Sequence, residues 1–385
     1  MKKNPDLLLF FLTAILVIIG IVMVFSASSA TCAMLDECKN DPYYYFKKQM
    51  IFAGIGCLFF FIAYKIDLQK LGKFSFVGLL ACLVLLILVL IPGIGIATMG
   101  ARRWLGYGSL TFQPAEIAKV FCVIYLADYL SRRGEKIREL GKFISIIVIM
   151  FVMMGVIEAE PDLGTAISIF GTLVIMLYVS GAKLQYLGTV LVSSFSLVLF
   201  KLFTGHSYRM DRMRAFMNPW KDSQGTGYHV CQSLIALGSG GIAGLGIGQS
   251  RQKFFYLPEQ YTDFIFAIIG EELGLIGTIC IVALFILFLY RGFKIASQTS
   301  NLFMRLLAVG CTFMIAIQAF MNMGVVVGIL PCTGIPLPFI SYGGSALIAC
   351  MIMAGILLNV STHCSKRNNN WQWGDDVEEI EEAKQ

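Results

Sequence analysis

Charged residues are scarce in this chain. Of its 385 residues only 14% are Asp, Glu, Lys or Arg, while 57% are hydrophobic and the mean hydropathy is +0.76. A soluble domain carries about 25% charged residues, so this chain lacks the polar surface that a water-soluble protein needs. Its apolar residues lie in nearly uncharged runs of about 20, which is long enough to cross a hydrocarbon core roughly 30 Å thick. The sequence therefore predicts an integral membrane protein.

Histidine is also scarce, and this bears on metal chemistry. The three histidines are scattered, and none of the eleven cysteines has the spacing of a zinc site. Six cysteines fall inside apolar runs, where cysteine behaves as a small hydrophobic residue. Cys32 and Cys38 share the first outer loop, where either a disulfide or two free thiols would fit.

The apolar runs predict an all-α polytopic membrane protein of about ten transmembrane helices. Lys and Arg are concentrated in alternate loops, which places both termini in the cytoplasm and one long loop, at about 205–263, outside it. We expect a single transmembrane domain over 1–364 and a disordered acidic cytoplasmic tail over 365–385. The spans are predicted at roughly 7–28, 48–66, 74–92, 112–130, 143–160, 163–181, 185–204, 264–290, 303–329 and 343–360.

Two outer segments carry basic residues against this charge rule. One contains Arg102 and Arg103, and the long loop contains Arg209, Arg212 and Lys253. Long loops cross the membrane largely regardless of charge, so a solvated basic loop would explain them. A site for an anionic group at the outer surface explains them equally well, because Arg and Lys are natural partners of phosphate oxygens.

Two pairs of ionisable residues lie in or beside predicted spans. Glu116 and Lys119 are three residues apart, so they share a helix face and form either a structural ion pair or part of a polar cavity. Glu160 and Asp162 flank Pro161 at a tight outer turn. Asp162 suits the N-cap of the next helix, whereas Glu160 is freer to face a cavity.

Asp263 directly precedes the eighth predicted span and follows Glu259. A carboxylate at this point suits three roles: a general base for a sugar hydroxyl if apolar surroundings raise its pKa, a helix cap, or a cation ligand. The segment 330–345, which includes Ser341 and three prolines, interrupts the apolar pattern between the last two spans. Irregular backbone at membrane depth is tolerated only when it is buried in protein or lines a cavity.

A glycine-rich stretch at 238–248 lies in the long outer loop. Its backbone amides suit a phosphate, but tight packing against a neighbouring element explains the glycines as well. The stretch does not match a P-loop or a dinucleotide fingerprint in the required context.

Taken together, these motifs resemble the SEDS family (shape, elongation, division and sporulation proteins) over nearly the whole chain. Several specific motifs occur in the family's order, and the stretch 244–272 is more similar to the division branch, FtsW, than to the elongation branch, RodA. The motifs are FQPAEIAK (112–119), EPDLGT (160–165), NPWKDSQGTGYHVCQS (218–233), GSGGIAGLGIG (238–248), YLPEQYTDFIFAIIGEELGLIG (256–277) and GILPCTGIPLPFISYGGS (328–345).

The resemblance implies a peptidoglycan glycosyltransferase of the inner membrane. Such an enzyme polymerises lipid II into β-1,4 glycan strands at the outer face of the membrane during septal cell-wall synthesis and cell division, by an inverting transfer. A lipid II flippase and a non-catalytic division scaffold remain as alternatives. Asp263 is the expected catalytic residue, and the expected substrate-binding residues are Arg102, Arg103, Glu116, Lys119, Glu160, Arg209, Arg212, Lys253, Glu259 and Ser341.

The resemblance also implies partners and cofactors. The expected ligands are lipid II and the growing glycan strand, and the expected protein partners are a class B penicillin-binding transpeptidase and other division proteins. No nucleic acid and no organic cofactor are expected. A divalent cation, Mg²⁺ or Mn²⁺, is compatible with the site, and Asp263 is its candidate ligand.

Overall fold

The computed structural model describes residues 4–34, 38, 40–98, 101–107, 110–204, 213, 216–254 and 256–364. Long helices dominate this part of the chain, as the apolar runs predict. The helices are α1 Leu7–Met34, α2 Tyr44–Lys65, α3 Leu68–Lys73, α4 Ser75–Leu90, α5 Pro114–Arg133, α6 Leu140–Ala159, α7 Leu163–Val179, α8 Leu184–Thr204, α9 Tyr228–Gly240, α10 Ile265–Ser297, α11 Leu302–Val326 and α12 Gly344–Ser361, with short 3₁₀ turns at Gly134–Arg138 and Pro219–Asp222.

Each of the ten predicted spans coincides with one of these helices, and the predicted helical polytopic fold is confirmed. By length and composition, six helices of the described residues are long and apolar enough to cross a membrane: α1, α2, α6, α10, α11 and α12. Helices α4, α7 and part of α8 are shorter but also apolar. The number of crossings stays a prediction.

A small sheet accompanies the helices of this α-helical fold, and the sequence analysis did not predict it. Between α4 and α5 three short strands form an antiparallel sheet in the order β1 Ile96–Thr98, β2 Ala101–Tyr107 and β3 Leu110–Phe112. Successive side chains of a strand point to opposite faces, so Arg102 and Arg103 on β2 face opposite ways. The three strands are short and lie between two long apolar runs that predict helices. The sequence pattern therefore predicts the flanking helices and no strands.

The core of the protein lies around α11 and α12. Most of the residues of these two helices are buried, which explains why they are apolar on every side. The amide side chains that α11 buries, Gln318 and Asn322, are therefore surrounded by protein. Buried polar groups need partners, and Asn322 finds them in the candidate site.

The long outer loop is not a simple loop, because α9 packs against α10 within it. Helix α10 is interrupted at Gly274, whose φ of 66° is accessible mainly to glycine. The glycine-rich stretch replaces the hydrogen bonds that this interruption breaks. The main-chain N–H groups of Leu245 and Gly246 donate to the main-chain oxygens of Glu271 and Glu272, each at 3.0 Å. The structure thus gives these glycines a packing role.

Candidate functional site

Asp263 lies in the turn that leads into α10, and it does not occupy the cap position of that helix. The helix begins at Ile265 with Phe264 at the N-cap, and the Phe264 side chain makes no capping hydrogen bond. Asp263 is half-buried. Of the three roles that the sequence left open for this carboxylate, general base and cation ligand both remain compatible with this position.

The main chain around Asp263 is fixed by the irregular segment between α11 and α12. The Asn322 side-chain amide donates to the main-chain oxygen of Asp263 at 2.7 Å and to the main-chain oxygen of Ile335 at 2.8 Å. The Ser341 hydroxyl donates to the oxygen of Thr262 at 2.6 Å and accepts from the N–H of Leu337 at 2.8 Å. These bonds hold the two irregular segments together and restrict the position of the Asp263 carboxylate.

Gly334 lies directly beside this carboxylate. Its φ of 71° is in the left-handed region, and a Cβ added to it would lie 3.6 Å from Oδ2 of Asp263. On the other side of the same segment, Gly164 of α7 packs so closely that an added Cβ would lie 2.4 Å from Cγ1 of Ile335. The segment 333–335 therefore lies between Asp263 and the first turn of α7.

The turn between α6 and α7 holds Arg103. Nε of Arg103 donates to the main-chain oxygen of Glu160 at 2.9 Å, and Nη2 donates to that of Pro161. Arg103 is half-buried and Arg102 is exposed, as the alternation of β2 requires. Of the two arginines that the sequence proposed, Arg103 is the one that the structure places against this turn.

Glu160 is fully buried, and within the described residues neither carboxylate oxygen has a hydrogen-bond partner. Burial, reinforced by the negative charge of Asp162 and opposed by Arg103, raises the pKa of Glu160 to about 8. Glu160 also occupies the C-cap of α6, where the helix dipole disfavours a negative charge. We therefore expect a carboxyl that is mostly neutral at physiological pH.

Asp162 has a different environment, although it is only two residues away. It is the N-cap of α7, where its Oδ1 accepts from the N–H of Thr165 at 3.0 Å. Its Oδ2 accepts from Nε2 of Gln113 at 3.2 Å, and the N–H of Gln113 donates to the hydroxyl of Ser345 at 3.0 Å. The predicted cap is confirmed, and these bonds connect the start of α5 to α7 and α12.

Glu116 and Lys119 form an ion pair inside the protein. Nζ of Lys119 lies 2.7 Å from Oε2 of Glu116, and both side chains are at most 3% exposed. The predicted shared helix face is therefore correct. Because Glu116 compensates the charge of Lys119, the structure supports the structural alternative for this pair more than contact with a substrate.

Lys253 is buried and engaged within the protein. Its Nζ donates to the oxygen of Gly248 at 2.6 Å and lies 3.3 Å from Oε1 of Glu272. Glu272 in turn accepts from the hydroxyl of Ser26 on α1. The ammonium group of Lys253 thus connects the outer loop to Glu272 of α10, which contacts α1, and its predicted substrate-binding role stays a prediction.

The remaining predicted residues are distributed unevenly. Oε2 of Glu259 accepts from the Thr262 hydroxyl at 2.6 Å, one residue before Asp263. The hydroxyl of Ser341 makes hydrogen bonds to the main chain of Thr262 and Leu337, and its predicted contact with substrate stays a prediction. Arg209 and Arg212 lie outside the described residues.

Two further features concern metal ligands and the cysteines of the first outer loop. Among the residues that the structure describes, no three His, Cys, Asp or Glu side chains group as metal ligands would. Cys32 and Cys38 are both buried free thiols, which corresponds to the second of the two alternatives.

Sequence reasoning missed Asn322 and Gly334, which shape the surroundings of Asp263. An asparagine inside an apolar run is the signal for the first, since a buried amide requires partners. Gly334 belongs to the segment 330–345, which the sequence already marks as irregular. Its position beside Asp263 depends on the fold.

Comparison with known proteins identifies the family of this chain. A family model described as "Cell cycle protein", which combines FtsW, RodA and SpoVE, matches residues 6–366. The chain is 43% identical over 367 residues to stage V sporulation protein E of Bacillus subtilis (strain 168), covering 94% of this chain and 98% of that protein. It is 41% identical over 361 residues to a probable peptidoglycan glycosyltransferase FtsW of Geobacter metallireducens, covering 94% and 95%.

Solved structures agree with these relatives. A chain from a study of how a peptidoglycan synthase complex coordinates polymerization and crosslinking aligns with a TM-score of 0.75 and 28% identity, covering 93% of this chain and 97% of that one. The rod shape determining protein RodA of Thermus thermophilus aligns with a TM-score of 0.70 and 28% identity, covering 94% and 98%. The predicted resemblance to the SEDS family is confirmed, and the predicted enzyme class agrees with the names of these relatives.

Proposed function

Because this chain belongs to the cell cycle protein family of FtsW, RodA and SpoVE, we propose that it is a peptidoglycan glycosyltransferase that polymerises lipid II. The observation that carries the proposal is the environment of Asp263. Its backbone is fixed by Asn322 and its carboxylate lies beside Gly334. This arrangement holds one carboxylate in a defined position at the start of a helix whose first two turns are buried, as a general base requires.

The proposed reaction is a single displacement at the anomeric carbon of the donor. Asp263 takes the proton from the 4-hydroxyl of the acceptor sugar, and the acceptor oxygen forms a bond to C1 of the donor. The bond between C1 and the diphosphate oxygen breaks, and its electron pair leaves with the polyprenyl diphosphate. An α-linked donor gives a β-1,4 bond without a covalent enzyme intermediate, as in other single displacements at a sugar.

The leaving group needs positive charge, which Arg103 is placed to supply. In the described part of the chain two of its five N–H donors are used by main-chain oxygens, so three remain for phosphate oxygens. Arg102, exposed on the opposite face of the same strand, adds a second positive charge nearby. Lys119 is less suitable, since Glu116 already neutralises it.

A divalent cation remains part of the proposal. Mg²⁺ is usually held by one or two carboxylates together with substrate phosphates, and Asp263 is the residue here that fits such a set. A bound cation would neutralise charge that develops on the diphosphate.

We place the site on the outer face of the cytoplasmic membrane. Asp263, Arg103 and Glu160 lie at helix ends opposite the loop between α5 and α6, which carries Lys136 and Arg138. The concentration of Lys and Arg in and beside that loop, with Arg132, Arg133 and Lys142 flanking it, marks it as cytoplasmic, and the opposite ends then face outwards.

The names of the relatives support a role at division or sporulation. FtsW and stage V sporulation protein E match at 41% and 43% identity, whereas RodA matches at 28%. The aligned synthase complex couples polymerization to crosslinking, which supports a crosslinking partner for this chain, a class B penicillin-binding transpeptidase in our proposal.

The test is polymerisation of purified lipid II by the purified chain, alone and with its transpeptidase. We expect the wild type to form glycan strands and Asp263→Ala to form none while it remains folded. Asp41→Ala is the matched control, because that aspartate forms an exposed ion pair with Lys47 and its loss should leave polymerisation intact.

Three other outcomes would contradict the proposal. Substantial polymer from Asp263→Ala would remove this residue from the base role. Movement of lipid II across liposomes without polymer would indicate a flippase. Normal growth and partner recruitment in cells that carry only Asp263→Ala would indicate a scaffold.

A further inference from the structure

Glu160 is a buried titratable group that the proposed chemistry does not use. Its carboxyl group is fully buried, and both oxygens lack a hydrogen-bond partner within the described residues. A buried carboxylate without a partner is strongly unfavourable, so such a group normally stays neutral or acquires a partner. The hydrogen bonds within the described residues therefore do not explain why a glutamate occupies this position.

Charged groups from three secondary-structure elements lie around Glu160. Arg103 of β2 contacts the same turn through the main-chain oxygens of Glu160 and Pro161. Asp162 caps α7 and is held by Gln113 and Thr165. Glu158 lies one half-turn earlier on α6. Arg103 is thus a cation that contacts the turn at Glu160. The groups that its guanidinium contacts in this turn are neutral main-chain carbonyls.

We propose that Glu160 is a positioning residue that controls how much positive charge Arg103 offers to the diphosphate of the lipid-linked substrate. This inference rests on the proposed function. When Glu160 is neutral, the Arg103 guanidinium is held by carbonyl groups alone and keeps its full charge for an anion. When Glu160 is ionised, its carboxylate competes with the diphosphate for the same guanidinium.

The protonation state of Glu160 changes within a physiological range. Burial first, and then Asp162, raise the pKa of this carboxyl to about 8, against the lowering effect of Arg103. The competing carboxylate is therefore mostly absent at pH 6.5 and mostly present at pH 9. Affinity for a polyprenyl diphosphate should fall across this interval.

The experiment measures binding of undecaprenyl diphosphate to the detergent-solubilised full chain at pH 6.5, 7.5, 8.5 and 9, together with KM and kcat for lipid II. The wild type should lose affinity and gain KM by roughly tenfold, about the size of one charge-assisted hydrogen bond, while kcat changes less. In Glu160→Gln this loss should disappear. Ionisation of the diphosphate itself affects all variants alike, so the difference between variants is the measured quantity.

Two further variants separate this role from a merely structural one. Glu160→Asp keeps a titratable group and should keep a loss of affinity with pH, although its midpoint can move. Glu158→Gln removes a neighbouring carboxylate and should behave as the wild type. Wild-type pH dependence in Glu160→Gln, or a wild type without any loss of affinity, would overturn the proposal.

The binding arm distinguishes the two proposals. A chain that binds the diphosphate with the expected pH dependence but makes no glycan contradicts only the proposed function. A chain that makes glycan with the same pH dependence of binding in wild type and Glu160→Gln contradicts only the role of Glu160.

Discussion

Asn322 donates a 2.7 Å hydrogen bond from its side-chain amide to the main-chain oxygen of Asp263. The same amide donates to Ile335 at 2.8 Å, so one buried side chain of α11 connects the turn before α10 with the segment before α12. Neither segment has regular secondary structure that would fix it. The position of the Asp263 carboxylate therefore depends on this amide.

We expect Asn322→Leu to lower kcat for glycan polymerisation by roughly 10- to 100-fold with a smaller change in KM, because displacing a catalytic group by about 1 Å is costly. The assay is polymerisation of lipid II at saturating and limiting substrate. Asn359→Leu is a matched control, since the Asn359 amide donates to the oxygens of Ala63 and Ile66 at 3.0 and 2.7 Å, away from the site. Equal losses of kcat in both variants would show that only folding is affected.

The two arginines of β2 should differ in their effect on substrate binding. Arg103→Ala should raise KM for lipid II by about tenfold or more, because this half-buried guanidinium has a defined orientation. Arg102→Ala should raise it by a smaller factor, since the charge of an exposed side chain is screened by salt. Steady-state kinetics at low and high salt measure both effects. A larger effect at Arg102 would reverse the assignment.

The ion pair between Lys119 and Glu116 should act mainly on stability. Lys119→Met leaves the Glu116 carboxylate buried without its partner, which should destabilise the protein by about 3–5 kcal/mol. The double variant Glu116→Gln with Lys119→Met should regain most of this stability and keep measurable polymerisation. Thermal unfolding in detergent and the polymerisation assay together test the pair. A stable double variant without activity would instead support the predicted substrate contact.

Glu160 should make folding stability depend on pH in a defined direction. Its pKa is raised from 4.5 to about 8, so between these pH values the folded protein binds a proton that the unfolded chain does not. Linkage then requires this contribution to stability to fall as the pH rises from about 4.5 to 8 and to stay low above that. The loss is about 1.4 kcal/mol for each unit of displacement.

Glu160→Gln provides the measurement. The amide resembles the neutral carboxyl, so the wild type and the variant should unfold at similar temperatures near pH 5, and the variant should be the more stable at pH 9. Thermal unfolding across this range checks the sign. A wild type that gains stability relative to the variant as the pH rises would show that Glu160 is ionised in the folded protein.

The sequence by itself determined the class of the protein and the approximate position of its long helices. The physical reason is local: a run of about 20 apolar residues has few alternatives to a membrane helix. Local chemistry also predicted Asp162 as a helix cap and Glu116 with Lys119 on one helix face. The motifs that resembled the family were short, contiguous and in order, so they too could be recognised without a fold.

Only the tertiary structure decided which polar residues meet. Arg103 contacts the turn at Glu160, which is 57 positions away, and Asn322 contacts Asp263 across 59 positions. No periodicity encodes such pairs, because their proximity depends on how helices pack. The same packing made Lys253 an internal cation, turned the glycine-rich stretch into a partner for the interrupted helix α10, and left Glu160 buried beside Arg103.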